Sequence, residues 1–190
     1  MTFRLLLGLL LASGATVVSL ADSRGVVDLE GRRVDPLSVP AGTRAHVLVF
    51  TTTDCPISNR YSPEITRLAS AYATRGVRFW VVYPVPGDTP ETIRTHAAQF
   101  GLDLPIVRDT RAALVRHTGV TVTPEVAVID ASGEVAYRGR VDDRYVDFGV
   151  DRPAPTTRDL DLALTNLLAG KPIQPKTTRA VGCILLDLLK

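Results

Sequence analysis

Ala45-His46-Val47-Leu48-Val49-Phe50-Thr51-Thr52-Thr53-Asp54-Cys55-Pro56-Ile57-Ser58-Asn59-Arg60-Tyr61 joins an apolar run to a polar turn and then to a helix start. The first six residues are rich in apolar and β-branched side chains, as expected of a strand covered on both faces. Pro56 suits the first helical turn, where its missing N–H would have had no partner. Ile65, Leu68, Ala69 and Tyr72 continue at helical spacing, and Gly76 supplies the stop. Cys55 therefore stands at the carboxyl end of a strand and at the N-terminus of a helix. Unpaired N–H groups and the helix dipole favour a thiolate there. Arg60 adds positive charge nearby, whereas Asp54 acts in the opposite sense. The competing reading of Cys55 is an inert buried thiol.

Outward from this stretch, Val77-Arg78-Phe79-Trp80-Val81-Val82-Tyr83 is expected as a second central strand, with Trp80 in the core. Val26-Val27-Asp28-Leu29 is a short strand before them, and residues 32–42 and 84–90 are loops. Residues 91–100 form a helix ended by Gly101, 104–107 a short strand, and 111–117 a short helix ended by Gly119. Residues 125–130 and 134–138 flank Ala131-Ser132-Gly133 as a hairpin. Residues 140–155 are read as irregular, and 157–169 as a helix capped by Thr156 or Thr157. The resulting order, β-α-β-α-(β)-α-β-β-α, implies an α/β fold. Its central sheet is mainly parallel, with an antiparallel edge hairpin and flanking helices.

The chain has 190 residues, enough for one domain with a full core. A hydrophobic share of 45% and a charged share of 22% are those of an ordinary globular protein. A net charge of +2, without a dense Lys/Arg run, argues against a nucleic-acid partner. Arg4 followed by an uncharged run from Leu5 to Ala21, with Ser19 and Ala21 at the −3 and −1 positions, has the layout of a secretory signal peptide. The competing reading is a membrane anchor, which would leave the protein membrane-associated. The expected organisation is a signal over 1–21, one domain over 22–170 and a C-terminal tail over 171–190. The expected location is periplasmic or extracellular.

Export changes how the two cysteines read, because an oxidising compartment permits a disulfide between Cys55 and Cys183. Gly182 would permit close approach of the Cys183 backbone. Cys183 is thus a candidate resolving or disulfide partner, or else a small apolar residue packed by the tail. His46, His96 and His117 lack ligand spacing to Cys55 or to each other. Asp142-Asp143-Arg144-Tyr145-Val146-Asp147 reads as a self-paired surface loop, or as a partner- or cation-binding segment.

Cys55-Pro56-Ile57-Ser58 resembles the Cys-x-x-Cys motif of thioredoxin-like proteins, with Ser58 in place of the second Cys. Gly119-Val120-Thr121-Val122-Thr123-Pro124-Glu125, followed by Val126-Ala127-Val128-Ile129-Asp130, resembles that superfamily's cis-proline segment and its next strand. From Val26 to about Gly170 the chain resembles the redoxin branch, which holds peroxiredoxins of the alkyl hydroperoxide reductase and thiol-specific antioxidant type and TlpA-like proteins. The resemblance implies a thioredoxin-like fold and a Pro124 that faces the cysteine. Thr52 matches the threonine of the peroxiredoxin motif, although Leu48 replaces its proline. Arg138 or Arg140 would supply the arginine that peroxiredoxins place beside the thiolate.

The expected function is that of an exported thiol-based oxidoreductase in which Cys55 attacks a disulfide or a peroxide. Thr52 and Ser58 would give hydrogen bonds, and Arg60, Arg138 or Arg140 positive charge. A Cys-x-x-Ser site cannot release its own mixed disulfide, so a second thiol is needed, from Cys183 or from another molecule. No organic cofactor is required, and the partner is a thiol/disulfide protein or a peroxide. The alternative is a binding protein without turnover, of the copper-handling Sco type. That type uses Cys-x-x-x-Cys and a later His, whereas position 59 here is Asn.

Overall fold

A computed structural model describes residues 25–185; the leader expected over 1–21 and the end of the tail lie outside the described residues. In chain order the elements are β1 (Val26–Val27), β2 (Ala45–Phe50), α1 (Pro56–Ala73), β3 (Val77–Tyr83), α2 (Pro90–Phe100), β4 (Ile106–Asp109) and α3 (Ala113–Thr118). They continue as β5 (Val122–Thr123), β6 (Glu125–Asp130), β7 (Val135–Gly139), β8 (Tyr145–Asp147), β9 (Val150–Asp151), α4 (Asp159–Leu168) and β10 (Cys183–Ile184). No described helix is long and apolar enough to cross a membrane.

Six strands form the main sheet in the order β1-β4-β3-β2-β6-β7. β2, β3 and β4 are parallel, the β6–β7 hairpin joins β2 in antiparallel register, and β1 closes the other edge antiparallel to β4. Every residue of β2 is buried, which accounts for its unbroken apolar run. Val47 and Val49 face α1 and α4, whose Ile57, Tyr61, Ile65, Leu68, Leu160 and Leu164 share their core. α2 packs Ile93 and Ala97 against Val81 and Tyr83. Leu48 and Phe50 face the other way, toward Leu114 of α3, and Leu185 of the tail is buried with them. Trp80 is a partly buried neighbour of this second core. The Asp109 carboxylate holds the start of α3, accepting from the N–H groups of Ala113, Leu114 and Val115 at 2.7, 2.9 and 3.0 Å.

Two local expectations are corrected. Thr156 and Thr157 do not cap α4, whose N-cap is Arg158. Their N–H groups instead donate to the Asp143 carboxylate at 2.7 and 2.9 Å. The segment read as irregular over 140–155 contains the small β8–β9 hairpin, while Asp142 accepts from the Tyr61 hydroxyl at 2.5 Å. The acidic run is thus consumed by local pairing. The described part of the tail is held in two places. Residues 176–178 lie along β7, with Arg138 N–H donating to Lys176 O and Thr178 N–H to Arg138 O at 2.9 and 3.1 Å. β10 then pairs antiparallel with β5, and Leu185 N–H donates to Thr121 O at 2.9 Å.

Candidate functional site

Cys55 is the N-cap residue of α1, in extended conformation, with Pro56 beginning the helix behind it. Its side chain is enclosed at 0% exposure. The wall opposite is β5 and the Thr123–Pro124 peptide, which is cis. The Cys55 thiol donates to the Thr123 carbonyl at 3.0 Å. Pro124 and Ser58 line a narrow crevice together with Val49 and Tyr61, and the peptide that Pro124 follows is the one whose carbonyl meets Cys55.

The second wall is the tail. Antiparallel register sets Cys183 opposite Thr123, and the Cys183 thiol donates to Cys55 Sγ at 3.0 Å. Both sulfurs are free thiols. Burial pushes the Cys55 pKa up, but hydrogen bonding from Cys183 and Ser58 outweighs it and holds the thiol below its ordinary value. The Ser58 hydroxyl is buried and makes no hydrogen bond to another residue's oxygen or nitrogen. Cys183 behaves in the opposite way. Burial and its hydrogen bond to Cys55 push it up to about 12. The two shifts run in opposite directions, which favours ionisation at Cys55 over Cys183.

The other expected groups are not brought to the sulfur. The Thr52 hydroxyl is buried and makes no hydrogen bond, to Cys55 included. Arg138 donates to the Gly119 carbonyl and stands 3.8 Å from Glu125. Arg140 forms a two-point pair with Asp159 at 2.8 and 3.2 Å. Tyr145 and Asp151 lie near enough to Arg60 to raise its pKa. Nearby acceptors explain the placements of Arg138 and Arg140: each guanidinium takes a carboxylate or carbonyl partner.

Two of the three histidines, His96 and His46, are likewise occupied elsewhere. His96 bonds to the Tyr83 hydroxyl at 2.8 Å and to Asn59 Oδ1 at 2.7 Å, and burial holds its pKa below the usual value. Donation to Asn59 and acceptance from Tyr83 satisfy a neutral ring, so His96 ties α1 to α2 and β3. His46 lies against the Pro36 carbonyl at 2.8 Å. Among the described residues no three His, Cys, Asp or Glu side chains converge as a metal site. The imidazole that a Sco-type copper centre requires does not join the two sulfurs.

Some residues that shape the site had weak sequence signals. Glu125 is buried at the head of β6, and its carboxylate accepts from Thr121 N–H at 2.7 Å, bracing the turn into β5. An acidic residue opening an apolar strand is the visible trace of that role. Gly182 lies directly on the Thr123–Pro124 peptide, where a β-carbon would overlap the Thr123 carbonyl. This is the close approach its sequence position suggested.

A family model, that of redoxins, matches residues 21–149. No curated protein matches the chain. Among solved structures, a conserved protein of Geobacillus kaustophilus is 26% identical with a TM-score of 0.70, over 84% of this chain and 86% of that one. A hypothetical protein of Sinorhizobium meliloti is 22% identical with a TM-score of 0.68, over 84% and 87%. A secreted disulfide oxidoreductase of Mycobacterium tuberculosis is 19% identical with a TM-score of 0.51, over 76% and 93%. These likenesses support the thioredoxin-like architecture described above.

Proposed function

The chain belongs to the redoxin family, and from that premise we propose that it is an exported thiol–disulfide oxidoreductase whose working thiols are Cys55 and Cys183. The observation that carries this reading is the 3.0 Å separation of the two sulfurs, with opposite pKa shifts. A monothiol Cys-x-x-Ser site becomes a dithiol site when the tail supplies the second sulfur.

The reaction proceeds in two exchanges. The Cys55 thiolate attacks one sulfur of a partner disulfide; a Cys55–partner bond forms, the partner's S–S bond breaks, and the departing sulfur takes a proton. Cys183 then gives up its proton and attacks Cys55 Sγ. The Cys55–Cys183 disulfide forms and the second partner sulfur leaves and is protonated. The partner disulfide is reduced to two thiols and the protein's dithiol is oxidised. A reducing dithiol protein returns the pair to its starting state, and the same steps run backward oxidise a dithiol partner. The raised pKa of Cys183 suits this order, because the thiol stays protonated until the first attack has removed the neighbouring negative charge. The leader read over 1–21 directs the reaction to disulfide-bearing proteins outside the cytoplasm.

Disulfide attack is favoured over peroxide reduction because Arg138 and Arg140 are engaged by Glu125 and Asp159, and Thr52 gives the sulfur no hydrogen bond. The test compares thiol loss from the reduced protein with an unfolded disulfide-bearing protein and with hydrogen peroxide. The expected result is loss of two thiols per disulfide reduced, and a peroxide rate no higher than that of a free thiol with the same thiolate fraction. A peroxide rate orders of magnitude above that reference, with no reaction toward disulfides, would reject the reading.

A further inference from the structure

The enclosure of Cys55 raises a question of access. Its sulfur has 0% exposure, and β10 lies across the approach from the β5 side. A partner sulfur must come in line with Cys55 Sγ, yet Cys183 already sits 3.0 Å from that atom. Both cannot occupy the position at once.

The tail is anchored unequally on the two sides of residues 179–181. On one side Thr178 packs onto Gly139, where a β-carbon would collide with it, and its hydroxyl meets the Tyr137 hydroxyl at 2.7 Å and Arg140 N–H at 3.1 Å. Backbone bonds to Arg138 reinforce this anchor. On the other side, among the described residues, the contact is a two-residue pairing with β5, one further N–H bond from Leu185, and the buried Leu185 side chain. Ile184 between them is 55% exposed. Gly182 is what brings this second piece close, since any side chain there would press on Thr123 O and Pro124 N.

We propose that residues 182–185 form a displaceable strap, seated by Gly182 as a positioning residue, which covers Cys55, leaves β5 to admit the partner disulfide and returns to deliver Cys183. The strap rests on the reading of Cys55 and Cys183 as the working pair, and adds a gate to it. Residues 176–178 remain attached throughout, so Cys183 stays tethered near the site. Partner and strap compete for one place. Local opening of this kind breaks the few contacts named above.

Alkylation of Cys55 in the full-length protein measures access without requiring disulfide exchange. The comparison is Cys183→Ser against Cys183→Ser with Gly182→Ala, each treated with iodoacetamide and with a bulky aromatic maleimide. With Gly182 present, Cys55 is expected to discriminate strongly by reagent size. Gly182→Ala is expected to erase that discrimination and raise the maleimide rate at least about ten-fold, equivalent to removing ~1.4 kcal/mol of opening free energy. Leu185→Ala, which removes the buried anchor and leaves the site untouched, is expected to act in the same direction. Equal maleimide rates with and without these changes would overturn the strap. Failure of the oxidoreductase reading shows separately, as absence of disulfide reduction by the parent protein whatever the alkylation rates.

Discussion

Replacing Cys55 by serine is expected to lower the rate of attack on a disulfide by on the order of 10³-fold or more, because a serine hydroxyl stays protonated where the thiol ionises. The size of the effect follows from the site's geometry. Ser58 and Cys183 favour the Cys55 thiolate, and once Cys55 is gone burial still disfavours the Cys183 thiolate. The parent's rate should also carry the signature of a lowered thiol pKa. It rises with pH and reaches its plateau below the range of an ordinary cysteine, since the depressed pKa makes the thiolate available at lower pH. Stopped-flow mixing with an aromatic disulfide across a pH series measures both quantities. A Cys55→Ser protein that reacts as fast as the parent would remove Cys55 from the mechanism.

Cys183→Ser is expected to have the opposite kinetic form. The first attack survives, because Cys55 and its helix are intact and serine can still donate a hydrogen bond. Release fails, because no second sulfur lies within reach of Cys55. The adduct between Cys55 and the partner should accumulate to one per chain. Turnover should fall by on the order of 10²-fold, as resolution passes from a tethered thiol to one in solution. Non-reducing electrophoresis with a disulfide-bearing partner reads the trapped species. Undiminished turnover would show that the resolving thiol comes from elsewhere.

The strand-turn-helix centred on Cys55 was legible because its signals are local: an apolar run, a proline suited to a first helical turn, then helical spacing. The segment from Gly119 to Asp130 was legible for a different reason, its resemblance to the thioredoxin superfamily. Arg138 and Arg140 mark where such reasoning stops. Their position on the second hairpin strand says that they are near the site, but their partners, Gly119, Glu125 and Asp159, are set by packing across the sheet edge. Thr156 and Thr157 show the same limit, since Asp143 claims them before the helix begins. The tail was the least legible part. Its pairing with β5 joins Cys183 to a residue 128 positions away, Cys55, through contacts with no sequence period. Gly182 was the one trace of it, and the structure shows why a larger residue could not stand there.

The central claim, that Cys55 and Cys183 work as one dithiol, is tested most directly by peptide mapping after the reduced parent protein meets one equivalent of a small disulfide. The expected result is a single cross-linked pair of peptides containing Cys55 and Cys183, with the small disulfide fully converted to thiols. Recovery of Cys55 still joined to the reagent, with Cys183 as a free thiol, would contradict it.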